Sequence, residues 1–542
     1  MEQRFIEFLW DYYNTIEPLS KNANISYFDA SISGKESDYE KSADHQIEIS
    51  KFYSNKKMFN LIKEFKESDE IKDTVLKREL ELIYNEFLGN QFDEKLHEKI
   101  ITLSTKIEQK FSTFRSEVNG KQLTENEIDD ILETSLSSKE LEETWRSSKQ
   151  IGKIVADDVL KLVKLRNEGA QELGFSNFHE MSLSLDEQSG EDLDKLFDEL
   201  DELTHSGFKE LKADIDKYLS NKFNVKENEL MPWHYEDKFF QHGPKIYNID
   251  LDKYYKNQNL SELTQKYFNG IGLNIDDMLA NSDLYEKKGK YQHAYCTDID
   301  RNGDIRVVCN IKPNHKWMST MLHEFGHAVY DKYVSPKLPW QLRSHSHIFT
   351  TEAIAMMFGR FSQNPDWLLK MHCISEEEKN KISDNCRKSI RAEQLIFSRW
   401  VQVMYRFEKE LYSNPDQDLN EVWWRLVKKY QLLKNPEGRD EPDWASKIHM
   451  ALYPAYYHNY MLGELLASQL YNYITSKVIK SENMESESFV SKPVVGEYLK
   501  NLFFSYGALY PWAELIVKST GEKLTAKYYA DQFVSEFKIY KI

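Results

Sequence analysis

Two histidines spaced four residues apart are the side chains of this sequence best suited to chemistry. They are His323 and His327 in the segment Met321–His327, and Glu324 directly follows the first of them. On a helix, residues four apart point the same way about one turn apart, so both imidazoles can reach one metal ion. Two histidines and a carboxylate, with an open position for water, form the metal site of many zinc hydrolases. The spacing therefore predicts a site for one zinc ion per chain, with Glu324 beside it.

The motif needs a helix, and its surroundings favour one. Apolar residues recur at helical spacing from Trp317 to Val334, and Pro313 and Pro336 mark the expected ends. In a zinc site the pKa of bound water falls to around 7, and Glu324 is placed to take a proton from that water as general base. The alternative is a helix whose two histidines serve only the core.

A carboxylate is expected as the third ligand. Glu352 precedes an apolar helix predicted over Ala353–Phe361, where a buried carboxylate needs a partner and a metal ion would serve. Spacing alone does not select this residue. Its rivals by position are Asp331, Asp366, His345 and His347.

Composition indicates a globular protein. Forty per cent of the 542 residues are apolar, 30% are charged, and the formal charge of −18 argues against nucleic-acid partners and anionic membranes. No apolar run is long enough to predict a membrane span. The four cysteines form no Cys-x-x-Cys pair, and acids interrupt what would be the core of a signal peptide. We therefore expect a cytoplasmic protein.

Helical periodicity dominates the chain. One helix is predicted from the capping box at Ser137 to a stop at Gly174. No polar segment is long enough to be an interdomain linker, so residues 1–542 are expected to form one catalytic domain with a cleft. Further predicted helical segments are Leu80–Phe87, Leu193–Tyr218, Ser389–Tyr412 and Tyr460–Val478, and predicted loops are Ser31–Ser42, Ser116–Asn126 and Ser481–Lys492.

A β-hairpin is predicted just before the zinc motif. Two β-prone runs, Tyr291–Thr297 and Ile305–Cys309, flank Asn302-Gly303, which is a strong hairpin signal. The free edge of such a strand can pair with an extended peptide. A hairpin with a purely structural role is the alternative.

A second cluster of polar side chains lies between Lys447 and Tyr460. It combines a lysine, histidines and phenols, which could donate hydrogen bonds to an oxyanion forming at zinc. In a chain with 32 tyrosines, the same cluster could also be an interfacial core.

An ordered series of motifs resembles the peptidyl-dipeptidase A (angiotensin-converting enzyme) metallopeptidases and, more distantly, thimet oligopeptidase and oligoendopeptidase F. The likeness covers most of the chain. Many families share the zinc motif, but the ordered series is specific. Its members are Leu322–His327, Leu338–Arg343, Thr351–Ile354, Trp423–Gln431, Lys447–His449 and Tyr457–Tyr460.

This resemblance implies a mainly helical ellipsoid, with two halves around a deep substrate cleft and zinc on the cleft floor. It implies short or unfolded peptides as substrates. Carried over by position, Glu352 is the third zinc ligand and Glu324 the general base. His449 and Tyr460 match residues that stabilise the tetrahedral intermediate.

The resemblance also implies substrate contacts. His293 and Ala294 match the strand that holds the substrate backbone. Lys447 and Tyr457 match two of three residues that hold the substrate's C-terminal carboxylate in dipeptide-releasing relatives. The third, a glutamine, falls near Tyr235, so that anchor is predicted to be altered.

Two further departures from the family pattern lead to predictions about chloride activation and about the orientation of a zinc histidine. The family's chloride-binding arginines map to Val427 and Asn459, which predicts no chloride activation through those sites. The acid that follows the third ligand by four residues is replaced by Met356, so another residue must orient a zinc histidine.

The sequence therefore predicts a zinc-dependent metallopeptidase that cleaves short peptides internally or near the C-terminus. One alternative is a non-catalytic peptide-binding protein on the same scaffold. The other is a strict metallocarboxypeptidase that releases single residues.

Overall fold

Helices form most of the structure, which confirms the mainly helical fold predicted from periodicity. The computed structural model describes residues 1–247 and 249–534. In these residues the α-helices are α1 (Glu2–Ser33), α2 (Glu36–Tyr53), α3 (Lys56–Ser68), α4 (Thr74–Leu88), α5 (Glu94–Thr113), α6 (Glu125–Thr134), α7 (Ser138–Ser148), α8 (Gln150–Glu172), α9 (Phe178–Leu185), α10 (Gly190–Phe223), α11 (Asp252–Tyr255), α12 (Leu260–Gly270), α13 (Asp276–Asn281), α14 (His315–Lys332), α15 (Ile348–Gly359), α16 (Pro365–Lys370), α17 (Glu376–Ser413), α18 (Leu419–Gln431), α19 (His449–Leu452), α20 (His458–Tyr473), α21 (Pro493–Leu502), α22 (Trp512–Thr520) and α23 (Lys527–Phe533).

Two short antiparallel hairpins interrupt the helices. In the first, Asn119 and Gly120 both have positive φ (54° and 74°), as a tight two-residue turn requires. The second is the hairpin predicted before the zinc motif, and its strands pair from Tyr295 opposite Val308 to Asp298 opposite Ile305. The strands are β1 (Ser116–Val118), β2 (Lys121–Leu123), β3 (Tyr295–Asp298) and β4 (Ile305–Val308).

Two of the three predicted loops are wrong. α1 continues through Ser33 and ends at Gly34, whose φ of 65° is the left-handed conformation that closes helices, so only a two-residue link precedes α2. Residues 116–126 form the first hairpin and the start of α6. The predicted loop over 481–492 is confirmed.

The chain divides into two compact units. Unit 1 contains α14, α15 and the β3–β4 hairpin, whereas unit 2 contains α7, α8, α10, α18 and α19. Among the helices of the described residues, none has both the length and the apolar content needed to cross a membrane. Unit 1 comprises Met1–Gln91, Ile249–Cys386 and Leu462–Thr525, and unit 2 comprises Phe92–Asn248, Arg387–Met461 and Ala526–Ile542.

In unit 2, the helix predicted from Ser137 to Gly174 is divided in two at Lys149. Ser137 caps α7 by accepting a hydrogen bond from Glu140 N, and α8 follows after Lys149. The Lys149 side chain is buried, and its Nζ lies 3.3 Å from the centroid of the Phe239 ring. Burial, opposed by the charge of Asp443, lowers the pKa of Lys149 to about 7.

Replacing Lys149 by methionine should stabilise the protein most at low pH. Because the folded-state pKa is lowered, folding disfavours the ammonium, and that cost is fully present below pH 7 and disappears as the pH rises towards 10.5. We expect Lys149→Met to raise the melting temperature by about 2 °C or more at pH 6 and by progressively less up to pH 9.5. Circular dichroism melting curves would measure this.

The matched control is Lys161→Met, because Lys161 is an exposed lysine on α8. It should change the melting temperature little, and equally at each pH. A Lys149→Met effect that does not vary with pH would contradict the proposed cost of burying this ammonium.

Candidate metal centre and carboxylate site

The close approach of α14 and α15 sets the geometry of the candidate metal centre in unit 1. Asn314 caps α14 by accepting a hydrogen bond from Trp317 N (2.9 Å), which fixes the start of the predicted motif helix. A Cβ atom on Gly326 would lie only 2.7 Å from the Cα of Ala355, so only glycine permits this packing. The contact brings the Glu352 side chain of α15 to the histidines of α14.

Three side chains converge at this contact. The Nε2 atoms of His323 and His327 are 3.3 Å apart. One carboxylate oxygen of Glu352 lies 3.7 Å from His323 Nε2 and 3.9 Å from His327 Nε2. Ligands held about 2.0–2.1 Å from a tetrahedral zinc ion are separated by roughly 3.3 Å, so the donor atoms fit one zinc ion. Among the described residues, these three form the group suited to holding a metal ion.

The charges of this group also favour a cation. Burial lowers the pKa of His323 to about 4 and that of His327 well below its usual value, so both imidazoles are neutral and can act as ligands. Burial raises the pKa of Glu352 to about 7. Burial and then the charge of Glu352 raise the pKa of Glu324 to about 8. A divalent cation would stabilise both carboxylates in their ionised forms.

The rivals for the third ligand have other partners. Asp331 lies 3.5 Å from His345 Nδ1, and Asp366 pairs with Lys379 at 2.8 Å. His347 caps α15, where its Nδ1 accepts a hydrogen bond from Phe349 N. Packing therefore brings only Glu352, among these candidates, to the two motif histidines.

Thr351 supplies the partner that the sequence left unidentified. Its Oγ1 lies 2.7 Å from His327 Nδ1, and the residue is buried. When the hydroxyl accepts the Nδ1 proton, Nε2 keeps its lone pair and points to the metal position. Met356 stands where the resemblance leads one to expect an acid. Its sulfur packs against α20, where a Cβ added to Gly463 would lie 3.2 Å from it.

Glu324 lies beside this group and is tied to the hairpin. It is buried, and the backbone of Cys296 in β3 hydrogen-bonds its carboxyl group. β3 pairs with β4 on one side, and its other edge has no strand partner among the described residues. His293 and Ala294 directly precede β3, and the Asn310 side chain holds the backbone just before them by donating to Tyr291 O and Gln292 O.

The other predicted site residues cluster in unit 2. Lys447 Nζ donates to Gln241 Oε1 at 2.6 Å. Gln241 lies six residues after Tyr235, the position near which the resemblance places the family's glutamine. Tyr235 itself bonds Asp216 and Lys212 through its hydroxyl group. Asp237 fixes the Gln241 segment by accepting hydrogen bonds from Phe239 N and Gln241 N.

Aromatic rings surround Lys447. Its Nζ lies 5.3, 5.5 and 5.6 Å from the ring centroids of Phe239, Trp400 and Tyr457. Burial, opposed by the charge of Asp237, lowers the pKa of Lys447 to about 8.

The rings of His449 and Tyr460 both contact the ring of Tyr457. The centroid distances from the Tyr457 ring are 5.0 Å to His449 and 5.3 Å to Tyr460. Burial and then the charge of Lys447 lower the pKa of His449 to about 4, so this imidazole is neutral at physiological pH. The structure thus places Lys447, His449, Tyr457 and Tyr460 in one cluster, as their spacing predicted.

Three residues of these sites were missed in the sequence. Thr351 adjoins Glu352, and a hydroxyl beside a predicted ligand could have indicated it. Gln241 and Trp400 carry no local signal, because each reaches its partner across more than 50 residues of chain.

A mainly helical fold with two histidines of a His-Glu-x-x-His motif and a later glutamate around one position is typical of the helical zinc metallopeptidases. Comparison with known families agrees. The model of peptidase family M3 matches residues 139–535, and the model of the angiotensin-converting enzyme family matches residues 1–235. The chain belongs to peptidase family M3.

Curated relatives are distant. The angiotensin-converting enzyme-like protein Ace3 of Mus musculus is 21% identical over 436 residues, which cover 73% of this chain and 57% of the relative. Angiotensin-converting enzyme of Mesocricetus auratus is 21% identical over 438 residues, which cover 75% of this chain and 33% of the relative. The chain thus spans well under two thirds of these relatives.

Replacing Thr351 by valine should weaken zinc binding. The substitution keeps the shape of the side chain but removes the acceptor for His327 Nδ1, which leaves the ring free to turn or to change tautomer. Loss of such a partner typically lowers metal affinity about 10- to 100-fold. Competition for zinc between the protein and a chelator would measure the change without relying on activity.

Thr320→Val is the matched control, because Thr320 lies partly exposed on α14 and its hydroxyl bonds only Lys316 O among the described contacts. It should bind zinc as the wild type does. Equal zinc affinity in Thr351→Val and wild type would show that Thr351 does not orient His327.

Proposed function

We propose that this protein is a zinc-dependent peptidase that hydrolyses short or unfolded peptides. The observation that carries this proposal is the convergence of His323, His327 and Glu352 on one position beside the buried carboxyl group of Glu324. Membership of peptidase family M3 supports the same reaction class.

In the proposed reaction, zinc held by the three ligands would polarise the scissile carbonyl and make a water molecule acidic at neutral pH. Glu324 accepts the proton of the attacking water and passes it to the leaving amine. His449 and Tyr460 donate hydrogen bonds to the negative oxygen of the tetrahedral intermediate. His293 and Ala294 bind the substrate backbone next to the free edge of β3.

Glu324→Gln should abolish most hydrolysis while zinc remains bound. Glutamine keeps the size of the side chain and cannot accept the proton, so we expect kcat to fall by about 100- to 10,000-fold. Zinc content by atomic absorption and peptide cleavage by mass spectrometry would be measured on the same sample. Wild-type activity in this variant would overturn the proposed mechanism.

Glu79→Gln is a suitable control, because Glu79 is also a buried carboxyl group of unit 1, paired with Tyr13. The activity of Glu79→Gln should stay close to wild type.

The alternative function, a non-catalytic peptide-binding protein, predicts that the zinc-loaded wild type retains peptide without turnover.

For the cleavage position, we propose that Lys447, Gln241 and Tyr457 bind the C-terminal carboxylate of the substrate. Three features support this. The Lys447 ammonium group has three N–H bonds, and in the part of the chain that the structure describes its one hydrogen-bond acceptor is Gln241 Oε1. The ring-lined surroundings strengthen charge interactions. Two of the three residues match those of dipeptide-releasing relatives. The protein would then release dipeptides from free C-termini.

This proposal predicts a pH-dependent preference for free C-termini. Lys447 is charged below its pKa of about 8 and neutral above it, so binding of a carboxylate weakens as the pH rises through 8. The neighbouring charges act in both directions, since Asp237 and Glu125 raise this pKa and Lys238 lowers it. For matched peptides with free and amidated C-termini, the ratio of kcat/KM values should fall above pH 8.

Lys447→Gln should lower the same ratio roughly 10- to 100-fold at pH 7 and remove its decline above pH 8. Product masses separate the alternatives. Dipeptides only from free C-termini support the proposed binding site, equal cleavage of both peptides indicates an oligoendopeptidase, and single residues indicate a metallocarboxypeptidase.

We further propose that the protein acts in the cytoplasm, on peptides and not on nucleic acids or membranes. The support is the sequence itself, with few cysteines and a net charge of −18. All four cysteines are free in the structure.

A further inference from the structure

Trp400 lies beside two of the three proposed carboxylate ligands, Lys447 and Tyr457, and is fully buried in unit 2. Its Nε1 donates a hydrogen bond of 2.8 Å to the Tyr457 hydroxyl oxygen. Its ring lies 5.5 Å from Lys447 Nζ and 5.3 Å from the ring of Phe239. Trp400 is thus in contact with the site without being one of its proposed ligands.

The hydrogen bond from Trp400 determines whether the Tyr457 hydroxyl donates or accepts towards a ligand. An indole N–H only donates, whereas a phenol oxygen accepts two hydrogen bonds and donates one. The Tyr457 oxygen is therefore the acceptor in this bond, and its own proton points elsewhere. Among the described contacts, no acceptor receives that proton. Tyr457 is left as a hydrogen-bond donor with a fixed ring.

Lys447 is limited to donation as well. Its ammonium group donates to Gln241 Oε1, and the Phe239, Trp400 and Tyr457 rings lie close to the rest of the group. A carboxylate can accept from both Lys447 and Tyr457. A C-terminal amide offers one acceptor, and its NH2 group would face donors, which leaves buried polar groups unpaired.

We propose that Trp400 is a positioning residue that makes this site selective for a carboxylate by holding Tyr457 as a donor. The inference rests on the proposed function of Lys447 and Tyr457 as carboxylate ligands. A purely structural role is the competing explanation, because a buried tyrosine hydroxyl needs a partner in any case. The two explanations differ in substrate selectivity.

Trp400→Phe tests this role, because phenylalanine keeps an aromatic ring beside Lys447 and removes the N–H. Without that donor the Tyr457 hydroxyl can turn its proton away from the substrate. For a peptide with a free C-terminus we expect KM to rise about 2- to 10-fold with kcat nearly unchanged. For the amidated peptide KM should stay constant, so the selectivity ratio falls by the same factor.

Trp233→Phe is the matched control. Trp233 is a buried tryptophan of unit 2 whose Nε1 has no hydrogen-bond partner among residues 1–247 and 249–534. Its replacement costs a similar loss of packing, and the ratio for free over amidated peptides should stay at the wild-type value. Zinc content and melting temperature of both variants would be measured alongside.

Tyr457→Phe tests whether Trp400 acts on substrate selectivity through the Tyr457 hydroxyl. This test remains possible even if Trp400→Phe does not fold. Tyr457→Phe should lower the selectivity ratio at least as much as Trp400→Phe does. In the double variant, adding Trp400→Phe to Tyr457→Phe should cause no further loss, because the indole N–H then has no hydroxyl to hold. A ratio unchanged in Tyr457→Phe, or additive losses in the double variant, would overturn the inference.

Lys447→Gln separates this inference from the function on which it rests. If Lys447→Gln leaves the ratio at the wild-type value, both the carboxylate-binding site and the role of Trp400 are overturned. If Lys447→Gln lowers the ratio and Trp400→Phe does not, the binding site stands and only the role of Trp400 is overturned.

Discussion

The packing of α14 against α15 controls whether a metal site can form in unit 1. At Gly326 a single additional carbon atom would lie 2.7 Å from the Cα of Ala355, and the helices would have to separate. Their separation would move the Glu352 carboxylate away from His323 and His327. Gly463 of α20 permits a similar approach on another side of α15, where a Cβ would lie 3.1 Å from that of Glu352. The ligand distances are therefore a consequence of helix packing, which depends most directly on Gly326.

Packing of this kind buries ionisable groups, and their burial explains the shifted pKa values at the site. Two carboxyl groups and two neutral imidazoles lie close together, and burial raises the pKa of Glu324 to about 8 and that of Glu352 to about 7. Groups with strongly shifted pKa values concentrate at functional sites, because a site must hold a charge that the solvent does not stabilise. A cation is the partner that satisfies all four groups at once.

Local sequence signals predicted the parts of the structure that depend on local physics. The zinc-motif helix was expected over 317–334 and lies at His315–Lys332, because apolar spacing and the Asn314 cap are both local. The Asn302-Gly303 hairpin followed from turn chemistry. The Asn119-Gly120 hairpin carries the same signal, but strands of three residues are too short for an alternating pattern to be recognised.

Features that depend on tertiary contacts could not be predicted from the sequence. Periodicity runs unbroken through Lys149, so the division between α7 and α8 was not visible in the sequence. Glu352 could not be separated from its rivals by spacing, since its selection depends on how closely two helices pack. Gln241 lies in a segment without regular structure, where no periodicity fixes the alignment. That segment is set by Asp237, whose carboxylate accepts two backbone hydrogen bonds within it.

The candidate sites of the two units have opposite electrostatic character, and a peptide offers groups that suit each of them. In unit 1, the carboxyl groups of Glu324 and Glu352 have no lysine or arginine partner among the described contacts. In unit 2, the Lys447 ammonium and the Tyr457 hydroxyl are both hydrogen-bond donors. A peptide has a carbonyl oxygen that a cation can polarise and a terminal carboxylate that donors can bind. An amidated or internal segment satisfies only the first requirement. Under the proposed function, the donors Lys447 and Tyr457 would therefore favour peptides with a free C-terminus over amidated ones.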